Sequence, residues 1–231
     1  MNLALFSMDG FMFVLRWFHI FFGIVWIGLL YYFNFVQGSF FAETDAPTKS
    51  QAIQKLVPRA LWWFRYGALW TWLMGVLLVT GRAHMGFSFA TSWGVNILIG
   101  GALGTLMFLN VWGIIWRNQK VVIASATAAA TGGAANPLAA AAAAKAGLAS
   151  RTNTLFSIPM LFFMASANHL TIMTDETSNF MLCAILVTIV LLALEFNAVK
   201  GKMGPMTTVK GVVTSGFALA AVLYAIVEFT L

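Results

Sequence analysis

Long apolar runs separated by short polar interruptions make up most of this chain, and their lengths set the expected architecture. About 20 consecutive apolar residues cross a bilayer. Six stretches reach that length, at residues 11–37, 58–81, 93–117, 152–174, 179–199 and 211–230. The first is longer than a bilayer requires, so it is expected to tilt or to project beyond the hydrocarbon core. Between the first two runs, residues 42–56 are polar and mixed, which predicts a short helix lying at the interface. Pro58 suits the first turn of the second run. Residues 118–151 are alanine-rich, and alanine favours helix, but Gly132-Gly133 and Asn136-Pro137 interrupt it. The segment reads as a helical hairpin extending spans three and four out of the membrane, or as a low-complexity linker. The expected fold is an all-α integral membrane protein over residues 1–231. It is a single bundle of six transmembrane helices with a cytoplasmic helical hairpin between spans three and four.

Composition agrees with this pattern. Hydrophobic residues make up 61% of the chain and charged residues only 9%, against roughly a quarter in soluble domains, and mean hydropathy is +0.87. The net charge of +6 would point to nucleic acid in a soluble protein. Here it is read as loop charge that fixes orientation, with no nucleic-acid partner. Ten of the 13 basic residues follow spans one, three and five: Lys49, Lys55, Arg59, Arg117, Lys120, Lys145, Arg151, Lys200, Lys202 and Lys210. The other side offers Arg82 and the nearby Arg16, while the turn after span four carries Asp175 and Glu176. The positive-inside rule then puts the basic loops in the cytoplasm and both termini in the periplasm, in a bacterial inner membrane. The N-terminal MNLALFSMDG has no basic n-region and no small-residue cleavage site, so it is expected to be retained. Cys183 is the only cysteine, which excludes an internal disulfide and any multi-cysteine metal or iron–sulfur site. The chain has no CxxCH, so c-type haem attachment is excluded as well.

The three histidines carry the candidate chemistry. His19 and His169 lie within apolar runs, and His84 sits just past the end of another. A polar ring at membrane depth is costly without a partner and marks a functional site by default. At 1.5 Å per residue, His19 lies about 12 Å below the outer start of span one, and His169 about 7 Å short of the outer end of span four. All three are thus expected in the periplasmic half, where they suggest a haem or metal site. Spacings of three, four and three put Arg16, His19, Gly23 and Trp26 on one helical face. A haem ligand needs an imidazole nitrogen aimed into the bundle, with room beside it that a glycine one turn away supplies. Arg16 is placed to pair with a propionate. The competing reading is a histidine bonded to a neighbouring helix, with glycine serving close packing. His169 follows the small residues Ala165-Ser166-Ala167-Asn168, and Pro159 in the same span should free a carbonyl and bend the helix.

The remaining polar and flexible residues are weaker signals. His84, among Gly81, Arg82, Ala83, Met85 and Gly86, is a metal ligand, a proton guide or a solvated loop residue. Met160 and Met164 read as core filler more than as axial ligands. Gly100 and Gly104 form a GxxxG that predicts tight helix packing. Asn110, Arg65 and Glu195 are the other intramembrane polar residues, and Arg65 with Glu195 is expected to form an ion pair. Glu228 is placed to meet Arg16.

Four segments also resemble one family. RWFHIFFGIVWIG at 16–28, WFRYGALWTWLMG at 63–75, GALGTLMFLNVWGIIWRNQK at 101–120 and SRTNTLFSIPMLFFMASANH at 150–169 are similar to spans of the membrane domain of bacterial cytochrome-c-linked urate oxidases. The resemblance implies a membrane bundle that hands electrons to a periplasmic cytochrome c, and His19 and Asn168-His169 match the family's pattern. This chain differs in having only 82–92 where family members carry further spans. It also has Leu98 where they usually carry a histidine, and the cytochrome c domain in which they often end is expected to be absent.

Three functions emerge as expectations. In the first, the chain is a membrane subunit that binds b-type haem through His19 and His169, with Arg16, Gly23 and Trp26 beside it and Arg82 as a further propionate or docking contact. It would exchange electrons with a periplasmic cytochrome inside a larger complex of membrane subunits and lipid. In the second, it is a cofactor-free structural subunit of a respiratory or photosynthetic complex. In the third, it is a urate-oxidase-like oxidoreductase.

Overall fold

Polar residues at the borders of the apolar runs start the helices. A computed structural model describes residues 4–231 and shows an all-α protein. The first three residues of the N-terminus expected to be retained lie outside the described residues. Seven helices run in chain order: α1 (Met8–Glu43), α2 (Ala46–Lys55), α3 (Val57–His84), α4 (Ser92–Ala130), α5 (Ala139–His169), α6 (Phe180–Lys200) and α7 (Val209–Thr230). Five begin with a side-chain cap. Ser7, Asp45, Thr91, Asn179 and Thr208 accept from the backbone N–H three residues on, at 2.9–3.1 Å. Each satisfies a donor that the first helical turn leaves free. Two helices end at a glycine in the left-handed region. At Gly86 (φ 81°), Gly86 N–H donates to Ala83 O and Phe87 N–H to Arg82 O, and Gly132 (φ 82°) closes α4 the same way.

Four helices (α1, α4, α6 and α7) are long and apolar enough to cross a membrane, which marks a membrane protein. The region expected to hold span four, residues 152–174, is corrected at its end. Helix α5 stops at His169 because Leu170 turns extended and Ile172 N–H is taken by Ser92 Oγ at 2.8 Å, drawing the chain across to the start of α4. Pro159 lies inside α5 without ending it. The alanine-rich segment is helical on both sides of residues 131–138. Two features have no counterpart in the apolar pattern. Helix α1 widens to a π turn at Tyr32–Gln37, and α4 does the same at Val111–Ile115.

In lipid, burial alone does not hold helices together, so close packing at small residues and interhelical hydrogen bonds must do so. Two antiparallel seams show both. Along α1–α3, a Cβ at Gly67 would lie 3.2 Å from Trp26 N, and one at Gly75 would lie 3.1 Å from the His19 ring. Along α4–α5, Gly100 and Gly104 receive Met164 and Met160, so the GxxxG is a packing notch and the two methionines fill it. Around these seams Trp26, Leu30, Phe64, Leu103, Met107, Phe156, Phe163 and Leu223 are fully buried in one cluster.

Candidate cofactor site

Helix α1 turns the expected face toward α3. His19, Gly23 and Trp26 all lie against it. His19 Nδ1 is 2.8 Å from Thr71 O, a Cβ on Gly23 would sit 3.8 Å from Thr71 Cγ2, and Trp26 is 1% exposed against Gly67. Arg16 is exposed and does not share this packing. The bond to Thr71 fixes the chemistry of His19. A carbonyl can only accept, so Nδ1 carries the hydrogen and the Nε2 lone pair is left for another partner. Metal-binding histidines are usually held this way, with one ring N–H on a backbone carbonyl and the other nitrogen on the metal. Gly75 keeps the ring in place by admitting it where a side chain would collide. The Thr71 methyl is in ordinary contact with the position a Gly23 Cβ would take, so this glycine lies against α3.

His169 is the last residue of α5 and is exposed, with no side-chain hydrogen bond among the described residues. Helices α1 and α5 run antiparallel, joined by Tyr31 Oη to Ser157 Oγ at 2.9 Å and Asn34 Nδ2 to Ser150 Oγ at 2.8 Å. From the Tyr31–Ser157 pair both histidines lie twelve residues in the same direction, about 18 Å at 1.5 Å per residue, so their levels match.

His84 does not join them. It closes α3 nine residues beyond Gly75, about 14 Å further along the helix. Among the described residues no three His, Cys, Asp or Glu side chains gather closely enough to hold a metal ion, so a site made by all three histidines does not form. His84 instead lines an open apolar groove of about 510 Å³ with Met8, Met12, Leu15, Leu77 and Met85. Leu15 is one turn from His19, so the groove begins immediately outward of that ring. Arg82, a turn from the groove's end, lays its guanidinium over Phe87 at 4.4 Å and over Trp93 at 5.9 Å.

The expected ion pairs are replaced. Arg65 does not meet Glu195. Its guanidinium lies 3.4 Å above the Trp116 ring, with Tyr66 and Trp112 beside it, and its Nε donates to Leu61 O. Aromatic faces satisfy a cation without the desolvation of a second charge. Glu195 accepts from Asn110 Nδ2 at 3.1 Å, and Glu228 accepts from Tyr224 on its own helix instead of meeting Arg16.

Sequence reasoning named Asn110 but missed its partners. Asn110 also donates to Asn153 Oδ1 at 3.0 Å, Asn153 donates to Met107 O at 2.9 Å, and Ser166 donates to Asn96 Oδ1 at 2.8 Å. Asn96 and Asn153 are completely buried. Their signal was the occurrence of four amide and hydroxyl residues at matching positions of two antiparallel helices. That match can be read only once the helices are paired.

Residues 82–226 match the family described as urate oxidase N-terminal. His84 and His169 fall inside the matched stretch and His19 before it. No curated protein and no solved structure matches the chain.

Proposed function

The chain belongs to the urate oxidase N-terminal family, and from that premise we propose that it is a membrane subunit that binds b-type haem and passes electrons to or from a periplasmic cytochrome within a larger complex. The observation that carries this reading is the bond from His19 Nδ1–H to the Thr71 carbonyl, which leaves Nε2 as a positioned nitrogen for another partner at membrane depth. His169, level with it on another helix, would be the second residue to hold the group. The donor chemistry fits the group, and the apolar groove one turn outward offers contact to a large flat ligand. Bound haem supplies one-electron transfer. The protein's own part would be to hold the ring nitrogen, with the buried Leu15 one turn outward of it, and to offer the propionates Arg16 and Arg82.

In this reading six helices span the inner membrane with both termini periplasmic. The alanine-rich extensions of α4 and α5 project into the cytoplasm, because the basic residues concentrate at that end. The family description names urate oxidase. Urate-dependent reduction of cytochrome c by the purified protein would extend the function to that oxidation, and its absence would confine the chain to electron transfer.

A reduced-minus-oxidised absorption spectrum of the purified chain tests the proposal. It predicts a b-type signal, and a flat spectrum from folded protein in its native complex would refute it. That flat outcome would favour a cofactor-free subunit, a reading supported by the exposed aromatic side of α1 (Phe11, Phe13, Trp17, Phe18 and Phe21), which is available to neighbouring helices.

A further inference from the structure

The end of the bundle remote from His19 holds a second cavity, of about 220 Å³, among α1, α3, α4 and α5. Asn34, at its wall, lies fifteen residues beyond His19, about 22 Å along α1. Two polar atoms with no hydrogen-bond partner among the described residues belong to side chains that line it: Arg151 Nη1 and Gln37 Oε1, both shielded from solvent. Buried polar atoms in native proteins are paired, and a group left without a partner calls for a water, an ion or a ligand. Arginine stays charged in proteins, and no Asp or Glu lines this cavity, so the guanidinium has no counter-ion there.

The neighbouring donors are arranged to complement an anion. Asn34 Nδ2 commits its hydrogens to Leu30 O and Ser150 Oγ, both at 2.8 Å. Ser150 Oγ therefore accepts from Asn34 and keeps its own hydrogen to donate. The cavity thus brings together a guanidinium N–H, a hydroxyl and the Gln37 carbonyl, an acceptor.

The two π turns meet at this place. Gln37 ends the first and Ile115 ends the second, and both line the cavity. A π turn inserts one residue into the helical count, which rotates the rest of the helix by about 100°. Without the inserted residue Gln37 would face elsewhere. Such turns cost regular hydrogen bonding and recur at functional sites.

We propose that this cavity binds a small organic anion that presents negatively charged oxygen to Arg151 and Ser150 and an N–H or O–H donor to Gln37. Its volume holds about seven waters at roughly 30 Å³ each, which admits a small ring compound or a lipid headgroup and excludes a haem. The concentration of lysines and arginines at this end of the chain draws anions toward it. The site is independent of the haem.

The test uses the full chain in phosphatidylcholine nanodiscs, titrated calorimetrically with the monoanion of uric acid, which pairs charged oxygen with ring N–H groups, and with inorganic phosphate. A parallel arm uses phosphatidylglycerol nanodiscs and native mass spectrometry to look for one retained lipid. Saturable one-site binding of a soluble anion identifies a soluble ligand, and a retained phosphatidylglycerol identifies a headgroup. In either case Arg151→Gln weakens binding by about tenfold or more, equal to about 1.4 kcal/mol. Gln37→Leu, which leaves the charge in place, does the same for the ligand bearing the donor and serves if Arg151→Gln does not fold. Wild-type protein that binds neither anion and retains no lipid overturns the proposal. So does undiminished binding by both folded variants. Because no readout involves haem, failure here and failure of the haem reading are separable.

Discussion

The two seams of the bundle are built alike and finished differently. Both pair antiparallel helices through glycines that admit a large side chain, His19 at Gly75 in one and Met164 at Gly100 in the other. In the α4–α5 seam the amides and hydroxyl all find partners, as Asn110, Asn153 and Met107 O form one set, which Asn110 extends to Glu195 on α6, and Asn96 with Ser166 another. In the α1–α3 seam His19 uses one ring nitrogen on Thr71 O and keeps the other. A satisfied set of hydrogen bonds holds helices together, whereas a positioned nitrogen without a partner can hold something else. The α4–α5 seam is structural, and the α1–α3 seam carries the nitrogen on which the haem proposal rests.

Breaking the second seam should have the larger effect. Gly75→Leu puts a Cβ about 3.1 Å from His19 Cε1 and pushes the ring off Thr71. Haem occupancy per folded chain should fall by about 10–100-fold, as when the second partner of a ligating histidine is lost. A pyridine haemochrome assay on the monodisperse fraction measures it. Asn153→Leu should act on stability instead. It leaves Asn110 and Met107 O short of a partner and costs about 1–2 kcal/mol in a detergent unfolding curve, with haem per folded chain unchanged. Equal haem loss in both variants would erase the distinction between the seams. Thr71→Val sharpens it. The acceptor for His19 is the main-chain carbonyl, and the Thr71 hydroxyl bonds only to Gly67 O of its own helix. Haem content should hold, and stability should shift by no more than about 0.5 kcal/mol.

The smallest effect lies outside both seams, at Asp45, where α2 begins. Hydrogen bonds from Thr48, its side chain first and its backbone N–H second, hold the Asp45 carboxyl below its ordinary value of 3.8. A carboxyl lowered in the folded state adds stability above its unfolded value, and that contribution disappears as pH falls through the lowered one. Protection of the α2 amides from hydrogen exchange should therefore be full at pH 6 and drop below about pH 4. In Asp45→Asn, which keeps the cap but not the titration, that drop should be absent.

Helix positions were legible because apolar length is nearly sufficient to find a spanning segment, and the His19 face was legible because spacings of three and four survive any arrangement of neighbours. What escaped depended on which helix sits beside which. Arg65 and Glu195 share a depth, but depth does not fix the direction around a helix, and Trp116 occupies the side toward which Arg65 points. The π turns at Tyr32–Gln37 and Val111–Ile115 leave no mark on hydropathy, since one extra residue within a continuous helix keeps the segment equally apolar. Gln37 and Ile115, which end these turns, both line the cavity with Arg151. The end of α5 was missed because Leu170 and Ile172 are as apolar as the helix before them, and only Ser92 on α4 draws them away.

The most direct test of haem ligation by His19 is the haem content of His19→Gly protein, assembled with and without added imidazole. The prediction is that the variant loses its haem and regains a substantial part of it when imidazole fills the vacated space. Haem retained at wild-type level in His19→Gly, without imidazole, would contradict the assignment.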